Sequence, residues 1–148
     1  MGIIDALAKR RSYYRICKDL PVSREEVADS VKRVAELVPD AFNMKSARVA
    51  VVFGEKHDRL WDTVFDVFGG KVAREKIDGF RAGAGTVLFF VDEDTVRSMQ
   101  GQYPRYAGNF PVWAQQANGM LQICVWARLR EMGIGANIQH YKPLSMTP

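Results

Sequence analysis

Three groups of residues carry side chains suited to chemistry. Arg10, Arg11 and Ser12 follow a short apolar run near the N-terminus. Two guanidiniums and a hydroxyl at a helix exit can hold a phosphate: each arginine offers donors in a planar fork, and serine adds another. The same residues also suit a solvated helix C-terminus, where cations complement the dipole. Tyr13 and Tyr14 beside them could stack on nucleic-acid bases. The second group is Gln115, Asn118 and Gln122, which fall on one helix face at i, i+3 and i+7. Buried amides need partners, so these residues either bond to a neighbouring loop or subunit or line a polar cofactor. The third group runs from Gly133 to Tyr141, where a helix stops, a strand follows and polar residues stand at its tip. Strand ends with loops are common ligand sites in α/β proteins. His140 is a base candidate there and equally a structural histidine.

Other chemistries find little support. The only histidines are His57 and His140, widely separated and away from any cluster of cysteines or acids, which argues against a zinc enzyme. No G-x-S-x-G elbow is present for serine hydrolysis. Gly83-Ala84-Gly85 precedes a strand rather than following one, so it reads as a tight turn and not as a dinucleotide loop. Cys17 and Cys124 form no CxxC pair, imply no disulfide framework, and fit a reducing cytoplasm. The start MGIIDALAKRRS places its charges after its apolar residues, the reverse of a secretory signal, and Ala6 stands where a myristoylation motif needs Ser or Thr. No stretch approaches the roughly 18 apolar residues of a membrane span. The expectation is a cytoplasmic protein without a membrane partner. A net charge of +4 suits an anionic ligand or nonspecific nucleic-acid contact and selects neither.

The elements that must position these groups follow from periodicity. The 148 residues, 47% hydrophobic and 26% charged, fit one globular domain, residues 1–148. Residues 3–9 have helical spacing, and 12–19 look irregular. Ser23 and Glu26 make a capping box that opens a helix running to Pro39. A loop covers 40–47, and 48–53 (RVAVVF) reads as a buried strand closed by Gly54. Helices are expected over 56–68, ended by Gly69-Gly70, and over 72–80. Residues 86–91 (TVLFFV) are a second strand. A short helix covers 92–99 and a loop 102–109. The longest periodic segment, 111–132, starts at Pro111 and stops at Gly133. It is apolar around most of its circumference, which predicts a central buried helix. Residues 136–140 are expected to be a third strand. The order predicts an α+β fold with a central mixed sheet flanked by helices.

These pieces together resemble the flavin-dependent nitroreductase family, in particular its short fungal- and bacterial-type oxygen-insensitive subgroup. The matching segments are Arg10-Arg11-Ser12, residues 39–43 (PDAFN), 80–90 (FRAGAGTVLFF), 109–119 (NFPVWAQQANG) and 133–141 (GIGANIQHY), in family order over nearly the whole chain. The last two together are the specific ones. The resemblance implies an intimate homodimer with FMN at each of two subunit interfaces. It implies hydride transfer from NAD(P)H as co-substrate to FMN, then reduction of small planar electrophiles such as nitroaromatics or quinones. Arg10, Arg11 and Ser12 would take the phosphate and ribityl region, and Pro39, Asp40 and Asn43 would approach the flavin from the partner subunit. Gln139 and His140 would lie against the isoalloxazine, with a backbone N–H near N5. No side chain need act as a dedicated acid, because the flavin carries the chemistry.

The chain departs from the family pattern in places. A small residue is usual where Asp40 stands, and Gln is common where Lys45 stands. Beyond Tyr141 the family continues with a further strand, often a basic phosphate contact, and an arm around the partner. Here a tail ends at Pro148, so the arm is expected to be missing or shortened, by truncation, frameshift or natural variation. Two other functions compete: a flavin-binding or regulatory protein with little turnover, and a basic nucleic-acid module using residues 10–15. The resemblance favours the enzyme without nucleic acid.

Overall fold

A computed structural model describes residues 2–141 of the chain. Helix α1 (Ile3–Lys9) is short and buries only Ala6. Helix α2 (Arg24–Leu37) opens on the expected capping box. The Ser23 hydroxyl accepts from the Glu26 N–H at 3.1 Å, and the Glu26 carboxylate accepts from the Ser23 N–H at 2.9 Å. Strand β1 (Ala47–Phe53) runs without a break into α3 (Gly54–Phe68), two residues earlier than the pattern predicts. Gly54 makes this possible with φ +58°, a left-handed conformation that a side chain disfavours. After α4 (Arg74–Arg81) comes β2 (Gly85–Val91), then α5 (Glu93–Gln102) capped by Asp92, then α6 (Phe110–Glu131). Short 3₁₀ turns at Ala41–Asn43 and Pro104–Tyr106 punctuate the loops.

The architecture is α+β, but among the described residues the sheet is small and antiparallel rather than mixed. β1 and β2 pair from Ala47↔Val91 to Phe53↔Gly85. Gly85 has no side chain because an added Cβ would lie 2.7 Å from the Val52 carbonyl and from the Phe53 ring. The expected third strand at 136–140 is absent. A single parallel bridge, Ser12↔Ala136, stands in its place. Side chains take over what a ladder would do there: Trp126 Nε1 donates to the Ala136 carbonyl at 3.2 Å, and Asn137 Nδ2 donates to the Tyr13 carbonyl at 2.6 Å.

The main core lies between one sheet face and the helix pair α2 and α6. Val27, Val31, Leu121, Val125 and Leu129 form it, with Val49, Val51, Val87 and Phe89 closing from the sheet. A second core of Trp61, Ile77 and Phe80 joins α3 to α4, and Tyr141 packs edge-on against Trp61. Helix α6 is not buried all round. Phe110, Ala114, Ala117, Leu121 and Val125 are covered, whereas Val112, Gln116, Gly119, Met120 and Ile123 form an exposed strip on another face. Its C-terminus closes at Gly133 with φ +81°, the Ile134 N–H reaching the Leu129 carbonyl at 2.9 Å. Residues 142–148, the tail where the C-terminal arm is expected to be missing or shortened, lie outside the described residues.

Candidate functional site

The N-terminal basic cluster is held in place by the end of α6. Arg10 is the C-cap of α1, and its guanidinium lies 4.0 Å from the centre of the Trp126 ring. A cation over a ring face is attracted by the ring quadrupole, so this contact anchors the Arg10 side chain to α6. Arg11 and Ser12 are exposed. The next residue is pinned twice: the Tyr13 N–H donates to the Ala136 carbonyl at 3.1 Å, and the Tyr13 carbonyl accepts from Asn137. Asn137 Oδ1 in turn accepts from Gln139 Nε2 at 2.9 Å. Two distant motifs, Arg10-Arg11-Ser12 and Ala136–His140, therefore lie side by side, with Gln139 half-buried and His140 exposed. Gly135 permits the approach, since a Cβ there would stand 3.1 Å from the Tyr13 ring.

Arg130 was not among the expected site residues. It lies one turn beyond Trp126, its guanidinium is 5.7 Å from the Tyr13 ring centre, and its buried Nε has no hydrogen-bond partner among the described residues. The signal for it was the i, i+4 spacing of Trp126 and Arg130 at the end of α6, facing the basic run.

Pro39, Asp40 and Asn43 form a separate group at the other end of α6. The Asp40 carboxylate accepts from Ser46 twice, from the N–H at 2.8 Å and from the hydroxyl at 2.6 Å. Pro39 and Asp40 border two cavities of about 90 and 290 Å³, the larger walled by Trp113, Ala117 and Met120 of α6. Phe42, Asn43 and Lys45 all have positive φ, between 52° and 54°, a run of strained non-glycine backbone. It turns the Phe42 ring into a cluster with Tyr103, Tyr106, Phe110 and Trp113, stacked on Trp113 at 5.8 Å. Nothing in the local pattern of 39–46 signalled this cluster, whose other members lie some sixty residues away. Trp113 and Trp126 mark the two groups and stand about 20 Å apart along the helix at 1.5 Å per residue. One chain therefore does not bring Arg10–Ser12 together with Pro39–Asn43.

The amide stripe of α6 resolves differently. Asn118 is buried and donates to the Phe90 carbonyl at 3.1 Å, and Gln122 donates to Asn118 Oδ1 at 2.6 Å. These amides tie α6 to the end of β2, while Gln115 is exposed. His57, absent from the expected site, is buried between Thr86 and the Arg81 carbonyl, and burial holds its pKa below the ordinary histidine range. Its partners make it structural.

A sequence model of the nitroreductase family matches residues 7–144. The chain belongs to the nitroreductase family. As a nitroreductase-family chain it is 33% identical to nitroreductase FRM2 of Saccharomyces cerevisiae over 141 residues, 93% of this chain and 73% of the yeast protein. Nitroreductase CinD of Lactococcus lactis, solved in complex with chloramphenicol, is 38% identical with a TM-score of 0.91, covering 97% of this chain and 76% of CinD. An FMN complex from Desulfovibrio desulfuricans shares the fold, with a TM-score of 0.71 at 17% identity, over 95% of this chain and 69% of that one. Nitroreductase-family members are oxidoreductases and generally flavin-dependent. No helix among the described residues is long and apolar enough to cross a membrane.

Proposed function

We propose that this chain is a cytoplasmic oxidoreductase of one domain that uses FMN to pass hydride from NAD(P)H to nitroaromatic or quinone-like acceptors. The observation that carries it is the side-by-side placement of Arg10-Arg11-Ser12 and Ala136–His140, built by the Tyr13, Trp126 and Asn137 hydrogen bonds. The donor set fits FMN. Exposed Arg11 and Ser12, with the half-buried Arg10 beside them, suit a dianionic phosphate, and the half-buried Gln139 and the backbone around His140 suit the polar edge of a flat ring. FMN as the bound group of a fold neighbour supports the same reading. Bound FMN would supply the hydride chemistry; the chain's residues anchor the phosphate, orient the ring and keep water from one face.

The second group, Pro39, Asp40 and Asn43, reaches a flavin in this reading only from a partner subunit, because it stands about 20 Å along α6 from the first. A homodimer also covers the exposed strip of α6 and the exposed Ile3, Ile4 and Leu7 of α1. The test is turnover: FMN-loaded protein with NADH or NADPH and a nitroaromatic, followed by loss of the reduced-nicotinamide absorbance. Oxidation dependent on both acceptor and FMN is expected. Retained flavin without turnover would instead favour a flavin-binding or regulatory protein.

A further inference from the structure

Two cation–ring contacts of opposite sense join the loop after α1 to the end of α6. The Arg10 guanidinium of the loop lies 4.0 Å from the centre of the Trp126 ring, and the Arg130 guanidinium of the helix lies 5.7 Å from the centre of the Tyr13 ring. Trp126 and Arg130 stand one helical turn apart, so both meet the same stretch of chain. The contacts bracket Arg11 and Ser12, which are exposed. Half-buried Arg130 has an Nε that is closed to water and meets no hydrogen-bond partner among the described residues. An unsatisfied donor on a partly buried cation is costly, and the Tyr13 ring is what this charge faces. Arg128, two residues earlier and exposed, already complements the helix C-terminus and bonds Ser30 and Glu131. The Tyr13 ring also packs on Gly135, where a Cβ would stand 3.1 Å from it. The bridge Ser12↔Ala136 runs through the Tyr13 N–H, which donates to the Ala136 carbonyl at 3.1 Å. The placement of Ser12 therefore depends on that of Tyr13.

We propose that Arg130 is a positioning residue for the flavin phosphate, acting through the Tyr13 ring to fix the backbone that carries Arg11 and Ser12. The inference rests on the function proposed above. Arg130 does not touch the ligand in this arrangement. Its cation holds the Tyr13 ring from the α6 side, as Trp126 holds Arg10, and the pair of contacts sets where the short run between them presents its donors. A phosphate is sensitive to such placement, because a charge-assisted hydrogen bond weakens steeply once its geometry is lost. The flavin ring lies with the segment Ala136–His140 in the same reading and does not depend on Arg130.

The test titrates apoproteins with FMN and with riboflavin, which has the same ring and ribityl chain and no phosphate, followed by flavin fluorescence. The ratio of the two affinities reads the phosphate contact alone. Arg130→Met keeps an apolar stem and removes the cation. It should lower the ratio by about threefold to tenfold, the range of a cation–ring contact, and leave riboflavin affinity unchanged. Tyr13→Leu should lower the ratio as much, Tyr13→Phe should retain it, and Arg130→Met combined with Tyr13→Leu should be no worse than either alone. An unchanged ratio in folded Arg130→Met overturns the proposal. So do FMN and riboflavin affinities that fall together, the mark of a merely structural role. Equal losses from Arg130→Met with and without Tyr13→Leu also overturn it, since Arg130 then acts on the phosphate by charge and not through the ring. If Arg130→Met does not fold, Tyr13→Leu carries the test: a lowered ratio restored in Tyr13→Phe supports the proposal, and an unchanged one overturns it. A wild type that binds both flavins equally has no phosphate contact to position, which overturns the inference and leaves a flavoprotein. A wild type that binds neither overturns the function proposed above, and this inference with it.

Discussion

Arg10 and Arg11 carry the same charge and do different work. Arg10 packs on Trp126, so it joins α1 to α6. Arg11 is exposed, as a ligand contact requires. Arg11→Ala should weaken FMN binding by about tenfold to a hundredfold, the range of a charge-assisted hydrogen bond, and leave the melting temperature of the apoprotein unchanged. Arg11→Lys should recover only part, because an ammonium keeps the charge and loses the fork. Fluorescence titration of the three apoproteins checks this; equal affinities would remove Arg11 from the site. His57 makes a separate prediction. The Arg81 carbonyl requires a proton on Nε2, so Nδ1 accepts from the Thr86 hydroxyl, which itself accepts from Trp61 Nε1. The neutral ring is thus fully satisfied. Burial lowers its pKa most, and nearby Lys18 adds to this against the Arg81 carbonyl and Asp58. The unfolded chain therefore binds the proton more readily. This contribution to stability is present above the ordinary value of 6.5 and is lost as pH falls below it, toward the depressed folded value. Denaturant midpoints measured across that window should fall with pH in the wild type and change less in His57→Gln.

At the scale of elements, the segment 135–139 does the most positioning for its length. The Ala136 carbonyl accepts from both Tyr13 and Trp126, and Asn137 closes the arrangement onto the Tyr13 carbonyl. Asn137→Ala leaves that carbonyl without its partner and should cost about 1–2 kcal/mol of stability, with a parallel loss of FMN affinity. Ser23→Ala should cost about 1 kcal/mol through the lost cap and leave FMN affinity unchanged. Paired denaturation and flavin titrations separate the two. What was legible in the sequence follows the same division. The Ser23–Glu26 box and the Gly133 stop were legible because each needs only neighbouring residues. The strand expected at 136–140 failed because its backbone partners lie near Tyr13, 124 residues away, and tryptophan and asparagine side chains replaced the ladder. Arg10, Arg11 and Ser12 were legible as a basic cluster, and an anion-holding role for them is proposed from their chemistry. The aromatic cluster around Phe42 was not legible, since it depends on long-range packing and on a left-handed backbone that no residue type in 42–45 demands.

At the scale of the molecule, the main core is covered on both sides, yet apolar surface remains on two adjoining helices. Ile3 and Ile4 of α1 and Val112, Met120 and Ile123 of α6 are exposed, Ile4 by 75% and Val112 by 55%. With the two candidate groups at opposite ends of α6, the homodimer proposed above would complete the site across a two-fold axis. Light scattering at micromolar concentration should give twice the 16.7 kDa chain mass, and Met120→Glu should shift it toward monomer with weaker flavin retention; a stable wild-type monomer would contradict this. Whether the chain holds FMN is read from the flavin content of the purified, reconstituted protein. Heat-released cofactor is separated by chromatography and quantified against protein. FMN at about one per chain is expected, because Arg10-Arg11-Ser12 lies beside the polar segment Ala136–His140 and the sequence carries no Rossmann-type loop for an adenylate. Stoichiometric FAD, or no retained flavin after reconstitution, would contradict it.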